Sequence, residues 1–241
     1  MIKNGPVSLA ARWYHGTVRN GKAVIFSHGL FSTKDGYKIT QLADSITGAG
    51  FSLLTFDFRY SGESGGEIAD ISVMREVDDL SAVVEYVREA GFEEIHLMGS
   101  SMGAAVTLLY CGRGGDAASI MTIAAPIDLI SILPAMEKDE ALSLDEDGYT
   151  DIEGIKIHNT FFRELAQIDI AAALGVVRIP LLAIHGALDR VVPAAQGALL
   201  SERYGGEVRY VLVEDGDHNL TRDKDLELIR GEVISWLGGA R

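Results

Sequence analysis

Along most of the chain, short apolar runs rich in β-branched residues alternate with longer stretches in which apolar positions recur every three or four residues. The short runs predict strands over residues 7–14, 22–27, 51–56, 95–98, 119–124, 181–184 and 208–213. Several are apolar almost throughout, the pattern of strands covered on both faces. The longer stretches predict helices over 39–47, 71–89, 102–111, 194–204 and 223–237. In 71–89, Val73, Val77, Leu80, Val84 and Val87 fall on one stripe with acidic residues opposite, an amphipathic helix. Strand and helix in regular alternation predict an α/β fold, a parallel sheet built from these strands and covered by helices on both faces.

The alternation fails once. Residues 127–177 separate two strands by far more chain than an ordinary connection uses. This stretch opens with a helical pattern over 128–136 and crosses an acidic run, 137–147. It then shows a short alternating piece, 155–157, and a helix over 161–168. It reads as a cap inserted in a single domain, over the carboxyl edge of the sheet, where ligands bind in open α/β folds.

Composition narrows the partners. At 241 residues the chain suits one sizeable domain, and its 47% hydrophobic and 23% charged content is that of a globular protein. A net charge of −14 argues against nucleic acid or an anionic membrane surface, which need clustered lysine and arginine. The single cysteine, Cys111, excludes an internal disulfide, and no His, Asp and Glu set has convincing metal spacing. No cofactor is expected. Residues 1–6 carry no apolar leader core, and no stretch reaches the length of a membrane helix, so a cytoplasmic location is the expectation.

The chemistry begins with Gly-x-Ser-x-Gly, which occurs at 62–66 and again at 99–103. A nucleophilic serine in this pattern needs a strand, a sharp turn and an immediate helix. Ser101 has the predicted strand 95–98 before it and Ala104-Ala105-Val106 after it; Ser64 is followed by Gly65-Gly66-Glu67, which starts no helix. Ser101 is therefore the candidate nucleophile. Its hydroxyl needs a base, and the base needs a third group to orient it. Asp189 follows the predicted strand 181–184, and His218 follows the last strand, with Asp215 held in reserve as the acid. Both project from the same sheet edge as Ser101. For the oxyanion, the candidate donors are the N–H of Met102, at the start of a helix, and that of Leu30 after His28-Gly29, with Phe31 as the alternative. His28 and His185, at strand ends before glycine, read as braces for loop backbone.

Together, His28-Gly29, the stretch Thr55-Phe56-Asp57-Phe58-Arg59-Tyr60-Ser61-Gly62-Glu63-Ser64, the Ser101 turn, His185-Gly186-x-x-Asp189-x-Val191-Val192-Pro193 and Gly216-Asp217-His218 resemble a known group. The chain is similar to the small α/β-hydrolases of the serine aminopeptidase-like and cinnamoyl (feruloyl) esterase-like kinds. One departure is Ser100, where such enzymes often have histidine before the nucleophile. The resemblance implies the α/β-hydrolase fold, a mostly parallel central sheet of seven to eight strands flanked by helices with one antiparallel edge strand, and ester hydrolysis through an acyl-enzyme. The expected substrate is a small-molecule ester of small to medium acyl or aryl type. Thioester or peptide cleavage on the same residues, or a non-catalytic binding module, are the alternatives. Phe31, Ile132, Leu133, Met136, Phe161 and Phe162 are the candidate substrate-lining residues. Substrate identity and oligomeric state are not legible.

Overall fold

The computed structural model describes residues 1–239 except 19, 134–137 and 153. In chain order the elements are β1 (Ile2–Asn4), β2 (Val7–Leu9), β3 (Ala11–Tyr14), β4 (Lys22–Ser27), α1 (Tyr37–Gly48), β5 (Ser52–Phe56), α2 (Val73–Glu89), β6 (Glu94–Ser100), α3 (Met102–Gly112) and β7 (Ser119–Ile123). After β7 come α4 (Lys138–Ser143), β8 (Tyr149–Ile152), β9 (Ile155–His158), α5 (Asn159–Gln167) and α6 (Ile170–Leu174). The chain closes with β10 (Leu181–Gly186), α7 (Ala194–Arg203), β11 (Val208–Val213) and α8 (Asp223–Leu237).

The main sheet has seven strands in the order β11-β10-β7-β6-β4-β5-β3, parallel except for β3, which runs antiparallel to β5 at one edge. Side-chain alternation divides the core: Ala23 and Ile25 of β4 pack with α2 and α3, whereas Val24 and Phe26 pack with α1 and α8. Both faces are thus covered, which is why the strands read as near-continuous apolar runs. From β4 the chain steps outward to β5, then returns to place β6 on the other side of β4. That reversal opens a crevice at the carboxyl ends of β4 and β6, the usual ligand position in such sheets.

Two expectations need correction. The run 7–14 is not one strand: it breaks at Ala10, and β2 pairs with β1 in a separate antiparallel hairpin. The cause is tertiary. Ala10 accepts the N–H of Asp57 at 2.9 Å and donates its own N–H to Ser64 Oγ at 2.8 Å, so its backbone serves a loop instead of a strand partner. Of the helix expected over 128–136, residues 134–136 lie outside the described residues, and 128–133 hold a 3-10 turn, Ile130–Ile132, in place of a regular helix. A regular helix spans Lys138–Ser143, inside the acidic run. Gln196 of α7 explains the tighter start, because its Oε1 accepts the N–H groups of Ile127 and Asp128 at 2.8 and 3.0 Å and pins the chain as it leaves the sheet.

The remainder of 127–177 forms the β8–β9 hairpin, α5 and α6. Phe161, Phe162, Leu165, Ile170 and Leu174 from this segment are buried in the same apolar cluster as α2 and α3. Glu164 of α5 joins it to the N-terminus of α2, accepting from Ser72 Oγ and Val73 N–H, each at 2.8 Å, and from Met74 N–H at 3.3 Å. Among the described residues no helix is long and apolar enough to cross a membrane.

Candidate active site

Ser101 stands between the last residue of β6 and the first of α3, with φ 52° and ψ −122°. A non-glycine residue in that region costs about 1–3 kcal/mol, which the surrounding packing must offset. The flanking glycines make the turn feasible. A β-carbon on Gly99 would stand 2.6 Å from Ala104 Cα, and one on Gly103 would strike the carbonyl oxygens of Ser27 and His28. Strand, turn and helix can cross this closely only without side chains at those two positions. The same approach brings β4 up to the serine: a β-carbon on Gly29 would meet Ser101 Cβ at 3.2 Å.

Asp189 and His218 reach this point from loops after β10 and β11. His218 Nδ1–H donates to Asp189 Oδ2 at 2.8 Å, which leaves Nε2 as the acceptor for the Ser101 hydroxyl at 3.1 Å. Asp189 Oδ1 takes the N–H groups of Val191 and Val192 at 2.9 and 2.8 Å. Burial alone would raise the Asp189 carboxyl. Hydrogen bonds from His185, His218 and the Val192 N–H overcome that and hold it well below the usual carboxylate range. It is thus a fixed anion with one oxygen committed to backbone and the other to the imidazole. Asp215 is not the orienting acid, since it is drawn into ion pairs with Arg222 and Lys224.

The loop after β4 folds as a tight turn, Ser32 N–H closing onto Gly29 O at 3.1 Å, with Phe31 in the left-handed region at φ 58°. His28 braces it. Its Nδ1–H donates to Gly29 O at 2.8 Å and its Nε2 accepts Phe58 N–H at 3.1 Å. Burial lowers the His28 pKa, consistent with a neutral ring that donates on one side and accepts on the other. His185 has the bracing role read for it as well, with Nε2–H donating to Val192 O at 2.9 Å. Neither Leu30 N–H nor Met102 N–H has a hydrogen-bond acceptor among the described residues.

The second Gly-x-Ser-x-Gly serine is accounted for differently. Ser64 Oγ donates to Asp57 O at 2.7 Å and accepts from Ala10 N–H, and Asp57 in turn receives the Lys34 side chain at 3.1 Å. That serine ties a loop down.

The substrate-lining candidates divide. Phe31 is 42% exposed in the loop beside Ser101, and Ile132 and Leu133 are half-buried. Phe161 and Phe162 are each 1% exposed and stack edge to face within the core, 5.5 Å apart. Met136 lies outside the described residues. Sequence reading missed Lys38, on α1, whose Nζ donates to Ser100 Oγ at 3.2 Å. It also missed Glu164 and Gln196. None of the three belongs to a motif, and only the folded chain brings each to its partner.

Fold and motifs together define an α/β hydrolase. The family model described as serine aminopeptidase, S33, matches residues 19–138. Among curated proteins, the chain is 23% identical over 216 residues to the mitochondrial palmitoyl-protein thioesterase ABHD10 of Mus musculus, covering 86% of this chain and 72% of that one. It is 24% identical to a monoacylglycerol lipase of Mycolicibacterium smegmatis, covering 89% and 87%. Among solved structures, Est1E from Butyrivibrio proteoclasticus with ferulic acid bound superposes with a TM-score of 0.86 at 20% identity, covering 98% of this chain and 96% of that one. Mouse ABHD10 superposes with 0.85 at 20% identity, covering 100% and 98%.

Proposed function

We propose that the protein is a serine hydrolase that cleaves carboxylic esters of small to medium acyl or aryl groups through an acyl-enzyme. The hydrogen-bond chain from Ser101 through His218 to Asp189, at 3.1 and 2.8 Å, carries this reading. Ser101 Oγ attacks the carbonyl while its proton passes to His218 Nε2. Asp189 holds the ring in the tautomer with hydrogen on Nδ1 and stabilises the imidazolium. The unpaired N–H groups of Leu30 and Met102 bind the oxyanion, and the Met102 N–H adds the favourable end of the α3 dipole. The imidazolium returns its proton to the leaving alkoxide. Water, activated by the same base, then releases the acid. The described residues of 127–177 act as a cap over this edge, and Phe31, Ile132 and Leu133 offer apolar surface to the substrate. Thioester cleavage is the second reading, favoured by the name of the mouse relative.

The test is Ser101→Ala. It keeps the fold by circular dichroism and lowers kcat by roughly 10⁴-fold or more, and a fluorophosphonate labels the native protein at Ser101. Label at Ser64, or undiminished turnover in the variant, overturns the assignment. A panel of p-nitrophenyl esters of rising chain length, run beside thioester and aminoacyl substrates, then decides between ester, thioester and peptide.

A further inference from the structure

Lys38 is a cation in an unfavourable place. It is the second residue of α1, where the helix dipole opposes positive charge, and no acidic side chain occupies that first turn. Burial lowers its pKa to about 8, against the fields of Asp217, Asp189 and Asp225. No carboxylate pairs with it directly among the described residues; its ammonium donates to Ser100 Oγ, the residue before the candidate nucleophile.

The charges around His218 show what such a cation does. Asp189, from the loop after β10, touches the ring. Asp217 precedes His218 in its own loop and accepts Leu220 N–H at 2.8 Å. From the start of α8, Asp225 is paired with Arg222, and Asp215 with Arg222 and Lys224. His185 Nε2 lies 3.5 Å from the same Asp189 oxygen, Oδ2, that takes His218. Arg222 and Lys224 are therefore engaged with carboxylates, while the fields of Asp189 and Asp217 reach Lys38. A general base must be neutral before it can act.

We propose that Lys38 is a positioning residue for the Ser101–His218 pair: its ammonium offsets the Asp189 and Asp217 charges that act on His218, and its hydrogen bond holds Ser100 at the Ser101 turn. This deepens the serine-hydrolase reading and rests on it.

The experiment measures the second-order rate of fluorophosphonate labelling at Ser101 between about pH 5 and pH 9, the range in which an imidazole titrates. It is run for the native protein, Lys38→Arg, Lys38→Gln, Lys38→Met and Asp217→Asn. With the native charge removed, Lys38→Met reaches half its plateau rate about half a pH unit or more higher, the order expected of one charge in a partly buried site. Its plateau falls as well, because Ser100 loses its donor. Lys38→Gln shows the same pH shift with a plateau near the native one, since its amide still donates. Lys38→Arg keeps the native half-point, and Asp217→Asn moves it to lower pH. If Lys38→Met does not fold, the contrast between Lys38→Gln and Lys38→Arg carries the test. A common half-point for all the Lys38 variants overturns the role, whatever happens to the plateau, because a purely structural lysine alters the amount of active enzyme and not its pH profile. No label at Ser101 in the native protein overturns the hydrolase reading and this role with it. Label with unshifted profiles overturns this role alone.

Discussion

At Glu76 a carboxyl group is buried on α2, 3% exposed, and its Oε2 has no hydrogen-bond partner among the described residues. Burial, with the neighbouring charges of Asp79 and Glu164, raises its pKa well above the ordinary value, against the weaker opposing field of Arg59. The consequence for stability has a definite sign. A group whose pKa is raised on folding stabilises fully below its unfolded value, and that contribution is lost as pH rises toward the folded one. Glu76→Gln removes the titration with little change of shape. The variant should therefore match the native protein near pH 4 and exceed it at pH 8, by about 2 °C or more in Tm, the response of a domain this size to ~1 kcal/mol. A thermal melt series across that range checks it, and a constant difference at all pH values would rule out the linkage. Asp189 is the opposite case at the same scale: backbone N–H groups and two imidazoles surround it, and it stays ionised.

Among the elements, α2 depends on a partner from distant sequence. Ser72 caps it conventionally, accepting Arg75 N–H at 3.2 Å, while Glu164 supplies a carboxylate to Val73 and Met74 from 91 and 90 residues away. An anion at a helix N-terminus satisfies free N–H groups and complements the dipole. Glu164→Ala should cost about 1–2 kcal/mol, read as a lower urea midpoint, and should speed amide exchange at the start of α2. Glu164→Gln, which keeps one acceptor oxygen, should lose less. Equal stability of both variants and the native protein would mean the contact is incidental. The turn at Ser101 is a second dependence of this kind, since β4, β6 and α3 meet at Gly99 and Gly103 with no room for a side chain.

For the whole molecule, the segment between β7 and β10 shares its apolar residues with the core beneath α2 and α3. It should therefore unfold with the sheet. Urea transitions followed by far-ultraviolet dichroism and by a probe on α5 should coincide, whereas two separated transitions would show an independent unit. The strand and helix sequence outside this segment was legible because burial on both faces leaves apolar runs, and helices leave a stripe. β4, β11 and α8 have the bounds the pattern predicts. The hydrogen-bonded grouping of Ser101, Asp189 and His218 was legible too, because each follows a strand at the same edge and carries a recognisable local pattern. What the chain alone could not show were pairings that depend on neighbours far away in sequence. Ala10 leaves its strand to serve Asp57 and Ser64, the start of the inserted segment tightens onto Gln196, and Phe161 and Phe162 sink into the core. Lys38 meets Ser100 across 62 residues. Local sequence determines periodicity, turns and the order of chemical groups, since those follow from interactions within a few residues. Which buried polar group finds which partner depends on how the layers stack, so only the tertiary structure decided it.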